Sequence, residues 1–211
     1  MDTLHLIGTV TGLGFLAGIR LYATILTLGL AIRLQWIRLP QEYQGLEVLA
    51  SWWIIGVAGL AFLIEIIADK IPWVDSLWDS VHTLVRPLGA AWLGISALGE
   101  TSFGAALAIG SLSGGAALAS HSTKAAVRLA VNQSPEPVSN SVTSIAGDVG
   151  VPVGVWFVLR HPLIAGALIL LIAAAFALVA LRVFRLLRNR VREIAGRWRS
   201  VFGYPDASLR R

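Results

Sequence analysis

Six apolar runs separated by short polar segments decide what this chain can fold into. A helix rises about 1.5 Å per residue, so roughly 20 mainly apolar residues cross a hydrocarbon core of about 30 Å. The runs cover residues 4–32, 48–68, 87–98, 103–131, 142–159 and 163–187. The first is long enough to tilt and is punctuated by Gly12, Gly14 and Gly18. The second opens on Trp52 and Trp53, rings suited to the headgroup zone. The third is short unless it borrows residues from its flanks. Composition agrees with lipid as the solvent: 56% of the residues are hydrophobic and 14% charged, against about a quarter charged in soluble domains. The absence of cysteine excludes disulfides, thiol nucleophiles and cysteine-ligated metals. The first run lacks a basic segment and a small-residue cleavage site, so it reads as a span and not as a removable signal peptide.

Charge orients this plan. Nine of the seventeen basic residues lie at or beyond the end of the last apolar run: Arg182, Arg185, Arg188, Arg190, Arg192, Arg197, Arg199, Arg210 and Arg211. Six spans put both termini on one side, and the arginine-rich tail assigns that side to the cytoplasm of an inner membrane. Lys70, Arg86, Lys124 and Arg128 then fall on the same side, while Arg33, Arg38 and Arg160 fall outside. The tail is expected to rest on anionic lipid headgroups, not on nucleic acid. The expected organisation is an all-α transmembrane helical domain over 1–188, in halves of about 1–100 and 101–188, followed by a basic cytoplasmic tail over 189–211.

The halves share a pattern. Gly14-Phe-Leu-Ala-Gly-Ile-Arg20 and Gly115-Ala-Ala-Leu-Ala-Ser-His121 each run from a glycine through Leu-Ala to a basic residue. Three runs per half make an inverted repeat, an arrangement that recurs in transporters with the binding site at the repeat interface. The glycines at 110, 114 and 115 suit close helix packing, within the chain or in a homo-oligomer. Between the second and third runs, Trp73, Val74, Leu77, Trp78, Val81, Leu84 and Val85 recur at helical spacing. With Pro72 at its start and Asp75, Asp79 and His82 opposite, this predicts an amphipathic helix on the cytoplasmic surface. Residues 132–140, rich in proline and polar side chains, predict a cytoplasmic loop.

Ionisable side chains inside a membrane cost roughly 2.5 to 3.5 kcal/mol each and usually face a protein interior or a watery path. Arg20 sits mid-way along the first run, Glu65 and Asp69 share a face of the second, and His121, Lys124 and Arg128 step along one face of the fourth. Asp148 lies in the fifth. One reading is a polar cavity in which Arg20, Lys124 and Arg128 attract an anionic group while Glu65, Asp69 or Asp148 couples to a proton or cation. The bland reading pairs these charges for folding alone, with Lys124 and Arg128 snorkelling to headgroups. Asp75, Asp79 and His82, at i, i+4 and i+7, have the spacing of three metal ligands on one helix, although a solvated face produces it too. Phosphate-binding loops, dinucleotide fingerprints, zinc-protease motifs and nucleophile elbows are absent.

Two strings carry a family likeness: Glu65-Ile-Ile-Ala-Asp69-Lys-Ile-Pro72-Trp-Val-Asp75-Ser-Leu-Trp-Asp79-Ser-Val-His82-Thr-Leu-Val-Arg86-Pro87, and His121-Ser-Thr-Lys124-Ala-Ala-Val-Arg128-Leu-Ala-Val-Asn132-Gln-Ser134-Pro135. They resemble bacterial membrane proteins grouped as domain of unknown function 4126, from Gly14 to about the sixth run. The resemblance implies an integral membrane protein and names no activity or cofactor. The expected function is a small transporter or channel for an unnamed solute or ion. The alternatives are a membrane-embedded enzyme on a phosphate-bearing lipid, with Mg²⁺ at Asp75, Asp79 and His82, and a structural membrane protein.

Overall fold

A computed structural model of the chain describes residues 3–131 and 137–201. All its regular structure is helical: α1 (Thr3–Arg33), a 3₁₀ segment (Gln41–Ala50), α2 (Trp52–Ala68), α3 (Pro72–Leu98), α4 (Phe103–Val131), α5 (Pro137–Arg160) and α6 (Pro162–Val201). Two compact units divide the chain, Met1–Leu170 and Leu171–Arg211. The second holds the continuation of α6 as far as Val201, with Leu171, Leu178 and Phe184 exposed. Among the described residues, three helices are long and apolar enough to cross a membrane: Thr3–Arg33, Phe103–Ala126 and Pro162–Arg192. A fourth is added if Tyr43–Ala50 and Trp52–Ala68, bent by 73° at Ser51, form one broken span. These apolar helices are compatible with a membrane protein. Of the expected loop over 132–140, residues 137–140 are helical and 132–136 lie outside the described residues, as do Arg210 and Arg211.

The first apolar run does not form one straight helix. Arg20 has φ −149° and ψ 90°, outside the helical region, and divides α1 into two arms. The break falls at the arginine and not at Gly12, Gly14 or Gly18. His5 and Thr9 near the start of α1 line the same cavity as Gln35 and Trp36 just past its end. A straight helix of 31 residues would hold those ends about 45 Å apart. The directions of the arms agree. A Cβ on Gly14 or Gly18 would meet Ser113 or Ala117, which sets the first arm parallel to α4. The Arg33 guanidinium lies 5.2 Å from the centre of the Trp52 ring, at the start of α2, while Arg20 meets Asp69 just past its end. The second arm therefore runs antiparallel to α2. Since α3 follows α2 by a short turn and runs antiparallel to α4, with Gly94 on Ser113 and Thr83 on His121, the two arms point in opposite directions. α1 is a helical hairpin with Arg20 at its tip, and it packs on α2, α3, α4, α5 and the 3₁₀ segment.

Residues 72–98 also depart from expectation. Instead of a surface helix followed by a short span, they form one helix that continues through Pro87. Its polar face, expected to meet water, is turned inward: Asp75, His82 and Arg86 are buried. Trp73, Leu77, Val81, Leu84 and Leu88 are exposed. An amphipathic helix in lipid lowers its free energy this way, since the apolar face needs no cover and each buried charge needs a partner.

The arms are held by close packing. A Cβ on Gly18 would fall onto Ser120 Oγ and the Ala117 carbonyl, and one on Gly14 onto Ser113. Gly14 and Gly18 thus form a small-xxx-small face against Ser113 and Ala117, the device by which helices approach in lipid. Of the α4 glycines, Gly114 packs on the Pro87 carbonyl and Gly110 on Ile95, whereas Gly115 has nothing within 4 Å. Below the hairpin's mouth, Val10, Leu13, Leu16, Leu28, Leu46, Leu49, Leu93 and Val155 join the arms to the 3₁₀ segment, α3 and α5 in one apolar core.

Candidate functional site

The tip of the hairpin carries a charge into the protein. Arg20 is wholly buried and meets carboxylates from two directions. Its Nη2 lies 2.5 Å from Asp69 Oδ2 and 2.9 Å from Asp148 Oδ1, and its Nη1 lies 3.5 Å from Glu65 Oε1. The four-residue step from Glu65 to Asp69 puts both on one face of α2's end, and α5, antiparallel to the first arm, brings Asp148 to the other side.

Glu65 leads to a second buried cation. Its Oε1 accepts from Arg86 Nη2 at 2.6 Å, and the same nitrogen stands 3.5 Å from Asp79 Oδ1. Arg86 Nη1 donates to His121 Nδ1 at 2.6 Å. That nitrogen being the acceptor, His121 Nε2 carries the hydrogen toward Thr83 Oγ1 at 3.1 Å. Thr83 donates in turn to the Asp79 carbonyl. Glu65 Oε2 is buried with no hydrogen-bond partner among the described residues. The network therefore contains two guanidinium groups and four carboxylates, of which Asp148 and Asp79 are partly exposed, at 24% and 16% of the side chain.

The broken backbone is satisfied by side chains. Ser120 Oγ donates to the Phe15 carbonyl at 2.7 Å, Arg86 Nη1 to Gly18 at 3.4 Å, Lys124 Nζ to Ile19 at 3.4 Å and Thr24 Oγ1 to Arg20 at 2.9 Å. Irregular backbone survives inside a membrane protein where such donors replace the missing helical ones.

The expected site residues are accounted for as follows. Arg20, Glu65, Asp69 and Asp148 come together directly, His121 joins them through Arg86, and Lys124 reaches the carbonyl beside Arg20. The side chain of Arg128 lies outside the described residues. Arg86, which the sequence places only as a loop cation, is a central member. Pro87 hides it in the sequence, because a proline marks the end of a helical pattern, yet α3 continues through it. Asp75, Asp79 and His82 are not brought together as ligands. Asp79 faces Arg86, while His82 Nδ1 donates to the Trp78 carbonyl at 2.7 Å and its Nε2 lies 3.1 Å from the Tyr22 hydroxyl. No group of three His, Asp or Glu side chains suited to a metal ion occurs among the described residues.

The family model for the domain of unknown function DUF4126 matches residues 7–182. The chain belongs to this family. No curated protein and no solved structure matches it. The DUF4126 match covers the hairpin from Ile7 onward and every member of the charge network, so the network lies within the family's domain.

Proposed function

We propose that this DUF4126 protein is a small proton- or cation-coupled transporter or channel of the inner membrane, with its ion site in the network around Arg20 and Glu65. The observation that carries this reading is a helix broken at a wholly buried arginine and closed by carboxylates of α2 and α5. Interrupted helices with ionisable groups at the break recur where transporters bind their ions. The surplus of carboxylates, and the buried Glu65 Oε2 without a hydrogen bond, favour a proton or cation here over an anion, since both guanidinium groups already hold acids.

Six crossings, in two inverted halves, are the simplest plan from the apolar runs. The packing of Gly14 and Gly18 on Ser113 and Ala117 departs from that plan, because the like segments run parallel there and inverted ones would run antiparallel. The hairpin form of α1 modifies the plan: it puts the start of α1 on the side of Arg33 and Arg38, opposite Lys124. On the charge bias of the sequence the Lys124 side is taken as cytoplasmic, and the arginines of the tail are proposed to rest on anionic lipid.

Reconstitution tests the reading. Liposomes holding a pH dye inside should respond to an imposed potential when they carry the wild-type protein. Glu65→Gln and Asp148→Asn, each checked for folding by its unfolding temperature, should abolish that response. Equal fluxes of protons and monovalent cations through wild type, both variants and empty liposomes would discard it. A second reading, charges that serve folding alone, is favoured by the direct pairing of Arg20 with three acids. It predicts lost stability in the same variants with no flux to lose.

A further inference from the structure

On the far side of unit Met1–Leu170 from the charge network lies a cavity of about 730 Å³, inside the range of small-molecule sites. Three chain segments converge on it: the start of α1, the connection after α1 and the end of α5. Among the described side chains, His5, Arg38 and Arg160 line it and no acidic one does. Glu47 lines a separate cavity shared with Arg38. Trp36, Trp156 and Tyr43 supply flat apolar walls, and Tyr43 is buried with its hydroxyl donated to Thr9 at 2.9 Å.

We propose that this cavity binds an anion, phosphate or carboxylate, attached to an apolar or ring-shaped body. Arg38, from the connection after α1, and Arg160, from the end of α5, both line it, and guanidinium groups are suited to holding an oxyanion. The tryptophan rings take the apolar part. Gln35, in the left-handed conformation (φ 57°) that ends α1, lines the same cavity. The site is separate from the network around Arg20, so its occupancy does not depend on that network's function.

Calorimetry on the full chain in phosphatidylcholine nanodiscs tests this with two probes, phenyl phosphate and dihexanoyl phosphatidic acid. Saturable binding is expected for at least one, weakened about tenfold in Arg38→Gln, in Arg160→Gln and in Trp156→Ala. All three side chains are exposed, so the variants should fold. Binding of phenyl phosphate alone assigns a soluble anion, and binding of the lipid alone assigns a headgroup. Saturation by neither probe, or affinity unchanged in both arginine variants, overturns the proposal.

Discussion

Arg20 and Asp69, 49 residues apart in sequence, meet at 2.5 Å and tie the tip of the α1 hairpin to the end of α2. Both side chains are almost wholly withdrawn from solvent. Removing one member of such a pair strands the other, a loss of about 3 to 5 kcal/mol. Arg20→Met should therefore lower the unfolding temperature sharply in lipid nanodiscs. Arg20→Lys should rescue little, because an ammonium is a point charge and cannot span the positions of Asp69, Asp148 and Glu65. Asp148→Asn should cost less than Asp69→Asn, since Asp148 is partly exposed. An Arg20→Met protein as stable as wild type would show that the cluster contributes nothing to the fold.

The α1–α4 contact makes a sharper steric prediction. Gly18→Ala would drive a methyl into the Ser120 hydroxyl and the Ala117 backbone, and backbone cannot step aside. Overpacking typically costs about 1 to 3 kcal/mol. Gly56→Ala adds the same methyl where nothing lies within 4 Å, so it should be neutral or slightly stabilising. Thermal unfolding of the two variants side by side checks this. Equal effects would mean the helices do not approach as closely as Gly18 implies.

Much of this was legible in the sequence, and the failures share one cause. Apolar runs gave the helices, and the cost of buried charge picked out Arg20, Glu65, Asp69, His121, Lys124 and Asp148. Hydropathy cannot see a reversal of direction, however. A run of 29 apolar-rich residues over 4–32 reads the same whether it crosses once or doubles back, so Arg20 was placed mid-membrane when it lies level with the charges at the ends of α2 and α4. The same blindness turned α3 inside out. Periodicity found its two faces correctly, but a face has no label for which solvent it meets. Taking water as the solvent made Asp79 and His82 exposed ligands and left Arg86 in a loop, whereas His82 and Arg86 are buried and Asp79 faces Arg86.

Gln35 offers a test in which stability and binding separate. It closes α1 with its own amide donating to Ile32 and the Trp36 amide donating to Ala31, the pattern of a helix end that normally carries glycine. Gln35→Gly should relieve the left-handed conformation and raise stability by about 0.4 to 1 kcal/mol, read as a higher unfolding temperature. A destabilised Gln35→Gly protein would show that the side chain contributes more to the fold than its backbone conformation costs.

The hairpin itself is open to a direct topological test, since the chain has no cysteine and single replacements give clean labels. Cysteines at His5 and at Gln35, both lining one cavity, should react with an impermeant maleimide from the same side of sealed vesicles. A cysteine at Ser122, exposed one residue past His121 on α4, should react from the opposite side. A protein carrying both the His5 and Gln35 cysteines should also accept a short bifunctional cross-linker, because the arms bring these positions together. Labelling of His5 and Gln35 positions from opposite sides would restore α1 as a single crossing. In that case Arg20 could not sit level with Asp69 and Asp148 while Arg33 lies over Trp52, so the same outcome would also dissolve the charge network on which the transport reading stands.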